Sequence, residues 1–90
     1  MRVVDSKAPA EEIDYGVDWS AVLEAGDTIT ASTWSVPEGL TKGAEGLTGA
    51  TTKVFLSGGE LDRSYDVVNV IETSGGRTYQ ETIRLYVRAR

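Results

Sequence analysis

Residues 65–73 (Tyr-Asp-Val-Val-Asn-Val-Ile-Glu-Thr) and 83–87 (Ile-Arg-Leu-Tyr-Val) are β-rich runs on either side of Ser74-Gly75-Gly76-Arg77, and the glycine pair between them predicts that residues 61–90 form a long hairpin. Charge selects its buried face. Turning Tyr65, Val67, Asn69 and Ile71 inward buries one amide, whereas the other face would carry Asp66 and Glu72 inward at several kcal/mol each unless paired. In the second strand Ile83, Leu85 and Val87 are then inward, and Thr82, Arg84, Tyr86 and Arg88 outward. A two-residue Gly75-Gly76 turn would place Val67 opposite Arg84 and put the two core sets on opposite faces. A three-residue loop or a bulge is therefore predicted near the turn, setting Val67 against Ile83 and Tyr65 against Leu85.

The preceding residues read as shorter strands assembled on this ribbon. Ile13, Tyr15, Val17 and Trp19 alternate with Asp14, Gly16 and Asp18 as in a half-buried strand, and Asp18 or Ser20 can cap a single turn that Gly26 ends. Residues 28–36 are rich in β-branched side chains and predict a central strand stopped by Pro37. Ile29 and Ala31 are out of phase with Trp34 and Val36, so a bulge or a change of sheet lies between them. Residues 40–49, glycine-rich with only Leu40 and Leu47 as large apolar side chains, predict two short strands around a turn. In residues 51–56 Thr52, Val54 and Leu56 share one face and Lys53 and Phe55 the other. About seven strands separated by frequent turns, with no amphipathic helix, indicate an all-β sandwich or barrel. Residues 1–12, small, polar and interrupted by Pro9, read as an N-terminal arm that is either mobile or laid along a neighbouring subunit. Residues 13–90 read as one domain.

Composition narrows the function. At 90 residues with no cysteine and no histidine, the fold must hold by packing alone, and the commonest nucleophile, general base and metal ligands are missing. No apolar stretch approaches the roughly 20 residues that span a bilayer, and no leader pattern is present, so the expectation is an untargeted soluble protein of the cytosol or of an assembled particle. Residues 1–50 hold nine acids and three bases, and residues 51–90 five acids and six bases, for a net charge of −5. That balance argues against non-specific nucleic-acid binding. The end of the chain is locally basic, with Arg77, Arg84, Arg88 and Arg90 against Glu81 alone, a strip that reads as a solvated strand face or as a dock for an acidic neighbour.

The carboxylates offer no catalytic pair. Glu11 and Glu12 lie in the arm, Asp14 and Asp18 on a strand leading to a turn, and none has the rigid apolar setting that separates an acid from a base. Asp14, Asp18 and Asp27 lack a compact calcium-loop spacing, and the two Ser-Gly-Gly segments lack the Gly-Lys-Ser/Thr continuation of a phosphate loop. No enzyme, cofactor or metal is expected. Trp19, Trp34, Phe55, Tyr79 and Tyr86 could line a sugar platform, although core or subunit contacts suit them better. Asn69 reads as a buried amide completing local hydrogen bonds. Val68 and Val70, with Phe55, Tyr86, Arg84 and Arg88, are the candidate protein-interface residues, because outward apolar groups in such number often mark association sites.

Tyr65, at the start of a penultimate strand after a leucine and a turn, resembles the tyrosine corner of immunoglobulin-like and fibronectin type III sandwiches, whose hydroxyl bonds a backbone group a few residues upstream. Asp14-Tyr15-Gly16-Val17-Asp18-Trp19-Ser20, Gly26-Asp27-Thr28-Ile29 and Ser32-Thr33-Trp34-Ser35-Val36-Pro37, with Val54-Phe55-Leu56-Ser57-Gly58-Gly59 and Gly75-Gly76-Arg77-Thr78 later on, are similar to small bacteriophage virion proteins of the fibre-tail adaptor type. Phe55 stands where a tryptophan is as often expected, and residues 40–49 depart most. The resemblance implies an immunoglobulin-like structural protein of the virion, assembled in the host cytoplasm, present in many copies and bound to other tail, neck or fibre proteins. A capsid decoration protein and a carbohydrate-binding adsorption module are the alternatives.

Overall fold

The structure, a computed structural model, describes residues 2–89, and the side chains of residues 7–89. The strands in chain order are β1 (Arg2–Lys7), β2 (Ile13–Asp18), β3 (Ile29–Ser35), β4 (Leu40–Thr48), β5 (Thr51–Gly58), β6 (Ser64–Thr73) and β7 (Thr78–Val87). Six of them make two three-stranded antiparallel sheets, β7-β6-β3 and β2-β5-β4, and β1 joins the first in parallel along β7. No helix occurs among the described residues.

The hairpin of β6 and β7 has the shifted register. Val67 pairs with Ile83 and Tyr65 with Leu85, and the last pair in the ladder is Glu72 with Thr78. Beyond it the Thr73 N–H donates to the Arg77 carbonyl at 2.9 Å, which leaves Ser74, Gly75 and Gly76 as a three-residue loop. Gly76 carries the positive φ of 82° that such loops need. The two strands thereby feed one core, in which Val67, Ile71, Leu85 and Val87 are fully buried, each worth roughly 1.5–3 kcal/mol of burial. Val54 and Leu56 enter the same cluster from β5 and Tyr15 and Val17 from β2, so both sheets close on one apolar layer.

Three expectations are corrected. Strand β3 is an edge strand, not a central one. Its register slips between Ile29 and Ala31, and that bulge lets Ile29 and Trp34, five residues apart, both reach the core. Residues 40–48 are one nine-residue strand, not two short ones. Pairing along β5 carries β4 through its glycines, with an irregularity between Lys42 and Glu45. Residues 2–7 are not an unpartnered arm: Arg2, Val3 and Val4 pair with Ile83, Arg84 and Leu85 of the same chain.

The link from β1 to β2 is held by a buried ammonium. Lys7 Nζ donates to the carbonyls of Ala8 at 2.7 Å, Pro9 at 3.3 Å and Gly58, and its own carbonyl accepts from Arg88 N–H at 2.8 Å. Burial pulls the lysine's affinity for its proton below the ordinary value, and nearby Glu11 opposes this in part. A second polar element crosses the core. Asn69 Oδ1 accepts from Trp19 Nε1 at 3.0 Å and from Thr52 Oγ1 at 2.6 Å, while its Nδ2 donates to Ser32 Oγ at 3.0 Å and the Thr33 carbonyl at 3.1 Å. One amide so ties β6 and β3 to β5 and the end of β2.

At one end of the layer the Tyr65 hydroxyl accepts from Glu60 N–H at 2.8 Å, five residues upstream. Gly59, at φ 93°, is packed so closely that a Cβ there would meet Val87 Cγ2 at 2.7 Å. Tyr65→Phe removes the corner bond and keeps the ring, so a loss of about 1 kcal/mol is expected from urea unfolding. An unchanged midpoint would mean that solvent serves the amide equally well.

Candidate functional site

Because Val67, Asn69 and Ile71 point inward, Val68 and Val70 emerge on the outer face of the β7-β6-β3 sheet, where both are half-buried. Their cross-strand neighbours are polar and uncharged: Ser35 and Thr82 flank Val68, and Thr33 and Gln80 flank Val70. The two valines form an apolar centre with a hydroxyl and amide surround. Towards one end of this face Arg84 and Tyr86 are half-buried, and beyond the strand Arg88 is exposed. The Arg88 guanidinium lies over the Tyr86 ring, 5.0 Å from its centroid, a stacking that holds both groups in place.

Arg84 forms a two-pronged bond across the strands, Nε to Asp66 Oδ1 at 2.8 Å and Nη2 to Oδ2 at 3.2 Å. This bond is the main cause that holds the Asp66 carboxyl below the usual carboxylate range and raises the already high pKa of Arg84. At the far end of the hairpin Asp27 accepts from Ser74 Oγ at 2.8 Å and Gly75 N–H at 2.7 Å, with Arg77 at 3.5 Å. The bond from Ser74 leads the causes that depress its pKa. The basic strip expected at the end of the chain is thus corrected. Arg84 and Arg77 meet acids from β6 and from the loop before β3, which lie far away in sequence, and Arg90 falls outside the described residues.

Of the six candidate interface residues, Val68, Val70, Arg84, Tyr86 and Arg88 share one side of the molecule. Phe55 does not join them. It lies on the outer face of the other sheet, paired with Asp14 and 5.9 Å from Lys53 Nζ to ring centroid. The tryptophans are core residues, Trp19 at 5% and Trp34 at 3% exposure, and Trp19 packs against Tyr79 at 6.3 Å between ring centroids. The carboxylates considered for metal binding are dispersed: Asp14 stands 4.0 Å from Lys53, Asp18 caps Ser20 N–H at 3.0 Å, and Asp27 closes on the hairpin loop. No group of three or more acidic, histidine or cysteine side chains converges among the described residues.

Lys7 and the Asp27 clasp were not foreseeable as anchors, since each contacts residues about fifty positions away. Only Asn69 carried a signal, as an amide in an apolar strand phase.

These features define a small all-β module closed on one apolar core. A family model described as Podophage GP4 fiber-tail adaptor protein gp77 matches residues 7–86, and the chain belongs to that family. It is a bacteriophage structural protein of the tail. No curated protein matches the chain.

Proposed function

We propose that the chain is a non-enzymatic, immunoglobulin-like adaptor that works in several copies within the virion, bridging tail or neck and fibre proteins through the outer face of β7-β6-β3. The family match over residues 7–86 carries this reading. Strand order supports the immunoglobulin-like part: β3, β6 and β7 stand as strands C, F and G, β2, β5 and β4 as B, E and D, and Tyr65 occupies the corner at the start of F. The uncharged rows around Val68 and Val70 support the choice of face, since charged groups are depleted at the centres of contacts.

The test is incorporation into tails. Val68→Asp with Val70→Asp puts charge on two half-buried strand positions outside the core, so the isolated protein is expected to lose about 1–2 kcal/mol and still unfold cooperatively. Its recovery in assembled particles is expected to drop at least about tenfold, as a buried unpaired charge costs an interface several kcal/mol. Wild-type incorporation of this variant, with loss for Phe55→Asp instead, would move the contact to the opposite sheet.

A further inference from the structure

We infer that the open edge of β3 is a contact between two copies of this chain, which join there about a twofold axis at Thr33 and merge their β7-β6-β3 layers into one continuous sheet. It stands apart from the adaptor reading, since it concerns how the chain meets itself.

The two sheets end in β1 and β3 and in β2 and β4. Charge lies along three of these edges, as Arg2, Asp5 and Lys7 in β1, Asp14 and Asp18 in β2, and Lys42 and Glu45 in β4, whereas β3 carries none. Charged side chains are a common guard against edge-to-edge pairing, and an edge without them is open to it. β3 is bonded to β6 alone, and its irregularity lies between Ile29 and Ala31, so residues 31–35 run on in regular register.

Backbone directions set the pairing. The Thr33 carbonyl is turned towards β6, where it accepts from Asn69 Nδ2 at 3.1 Å. The Trp34 carbonyl points the other way, where Lys42 Nζ of β4 approaches to 3.5 Å. Alternation then places the N–H and C=O of both Ser32 and Trp34 on the open edge. Two copies can pair antiparallel with Ser32 of each opposite Trp34 of the other, and each such pair exchanges both backbone bonds. Thr33, exposed on the outer face, falls opposite Thr33 of the second copy. Threonine pairs across strands are favourable, and β3 alone among the four edges can meet itself at every register without opposing like charges.

The nearest charge is no obstacle. Lys42 is exposed and held by Glu45 at 3.2 Å, and its long contact with the Trp34 carbonyl is one that the N–H of a second copy replaces. Beside the edge runs an open groove of about 240 Å³ between β3 and β4, lined by Ala31, Ser32 and Leu47 among others. Leu47, 44% exposed, gains cover from a strand laid along β3. Because Thr33 also flanks Val70, the union sets the valine faces of the two copies side by side.

The chain has no cysteine, so Thr33→Cys reports the contact directly. Non-bonded antiparallel pairs hold their Cα atoms about 4.5 Å apart, within disulfide reach. On oxidation of concentrated protein, Thr33→Cys is expected to form linked dimers at least about tenfold faster than Thr51→Cys, an exposed strand position on the other sheet. Equal rates overturn the pairing. Sedimentation of charged variants supplies a second readout. Thr33→Lys and Thr33→Glu alone are each expected to dimerise about fivefold more weakly than the wild type, and an equal mixture of the two to recover at least the wild-type dimer, because opposite charges then face each other. Loss without recovery on mixing, no loss in either variant, or a wild type that stays monomeric at its highest soluble concentration would overturn it. None of these results bears on incorporation into tails, so failure here leaves the adaptor reading standing.

Discussion

Asn69→Leu is expected to lower the unfolding free energy by about 3 kcal/mol, although it replaces a fully buried polar group with an apolar one of similar size. The loss comes from the partners. Trp19 Nε1, Thr52 Oγ1 and the Thr33 carbonyl all depend on this amide, and each buried group left unmade costs about 1–3 kcal/mol, with Trp19 keeping a longer bond to Thr52 Oγ1 at 3.2 Å. For a domain of this size the shift in melting temperature would be roughly 15 °C. A double-mutant cycle checks the cause. Thr52→Val should cost clearly less in the Asn69→Leu background than in the wild type, because its hydroxyl has already lost its acceptor, whereas additive losses would show that the two residues act separately.

The second large effect is at Lys7. Lys7→Met preserves the buried stem but leaves the carbonyls of Ala8, Pro9 and Gly58 without their donor, so a loss of about 2 kcal/mol at neutral pH is expected. The pH dependence tests for the buried amine, whose charged form is the costlier one to hold in the fold. Burial lowers the folded pKa of Lys7 below its ordinary 10.5, so between the folded value and 10.5 the unfolded chain holds a proton that the folded chain has released. Unfolding stability then rises with pH in that window for the lysine and not for the methionine. The gap between wild type and Lys7→Met should therefore widen as pH climbs towards 10.5, as read by urea midpoints across the alkaline range; a constant gap would assign the effect to packing alone.

Both substitutions concern residues with at least one partner far off in the chain, and that separates what was legible in advance from what was not. The hairpin register could be read because two constraints met within one short segment: charge chose the inward face of each strand, and strict alternation then excluded a two-residue loop. The inward phase of β5 was readable on the same ground, period against burial; in β3 the same ground signalled a bulge or a change of sheet after Ala31, whereas the slip lies one step earlier, between Ile29 and Ala31. Where the phase was blurred by glycine, as in β4, the local pattern underestimated a strand that pairing with β5 sustains. The β-branched content of β3 suggested a central position, but a strand buried on one side and covered by threonines on the other serves equally well at an edge.

The candidate site shows the same division. Val68, Val70, Arg84, Tyr86 and Arg88 came out on one side because alternation along β6 and β7 dictates it. Phe55 obeys the same alternation in β5, yet which sheet β5 would join was not written in its own residues, and it lies on the opposite face. The arginines looked like a basic strip because their neighbours in sequence are neutral. Asp66 and Asp27 neutralise two of them across space, by bonds that require the strands to be side by side.

By itself, then, the order of residues determined an all-β chain, the faces of its strands and the loop of its closing hairpin, since each follows from local period, charge and residue type. Tertiary structure alone decided that β1 runs parallel to β7, that Lys7 is sealed against β5, that Asn69 joins the two sheets, and which outward residues share a surface. Those are contacts between segments remote in the chain, and their free energy depends on distances that exist only once the two sheets have closed on one core.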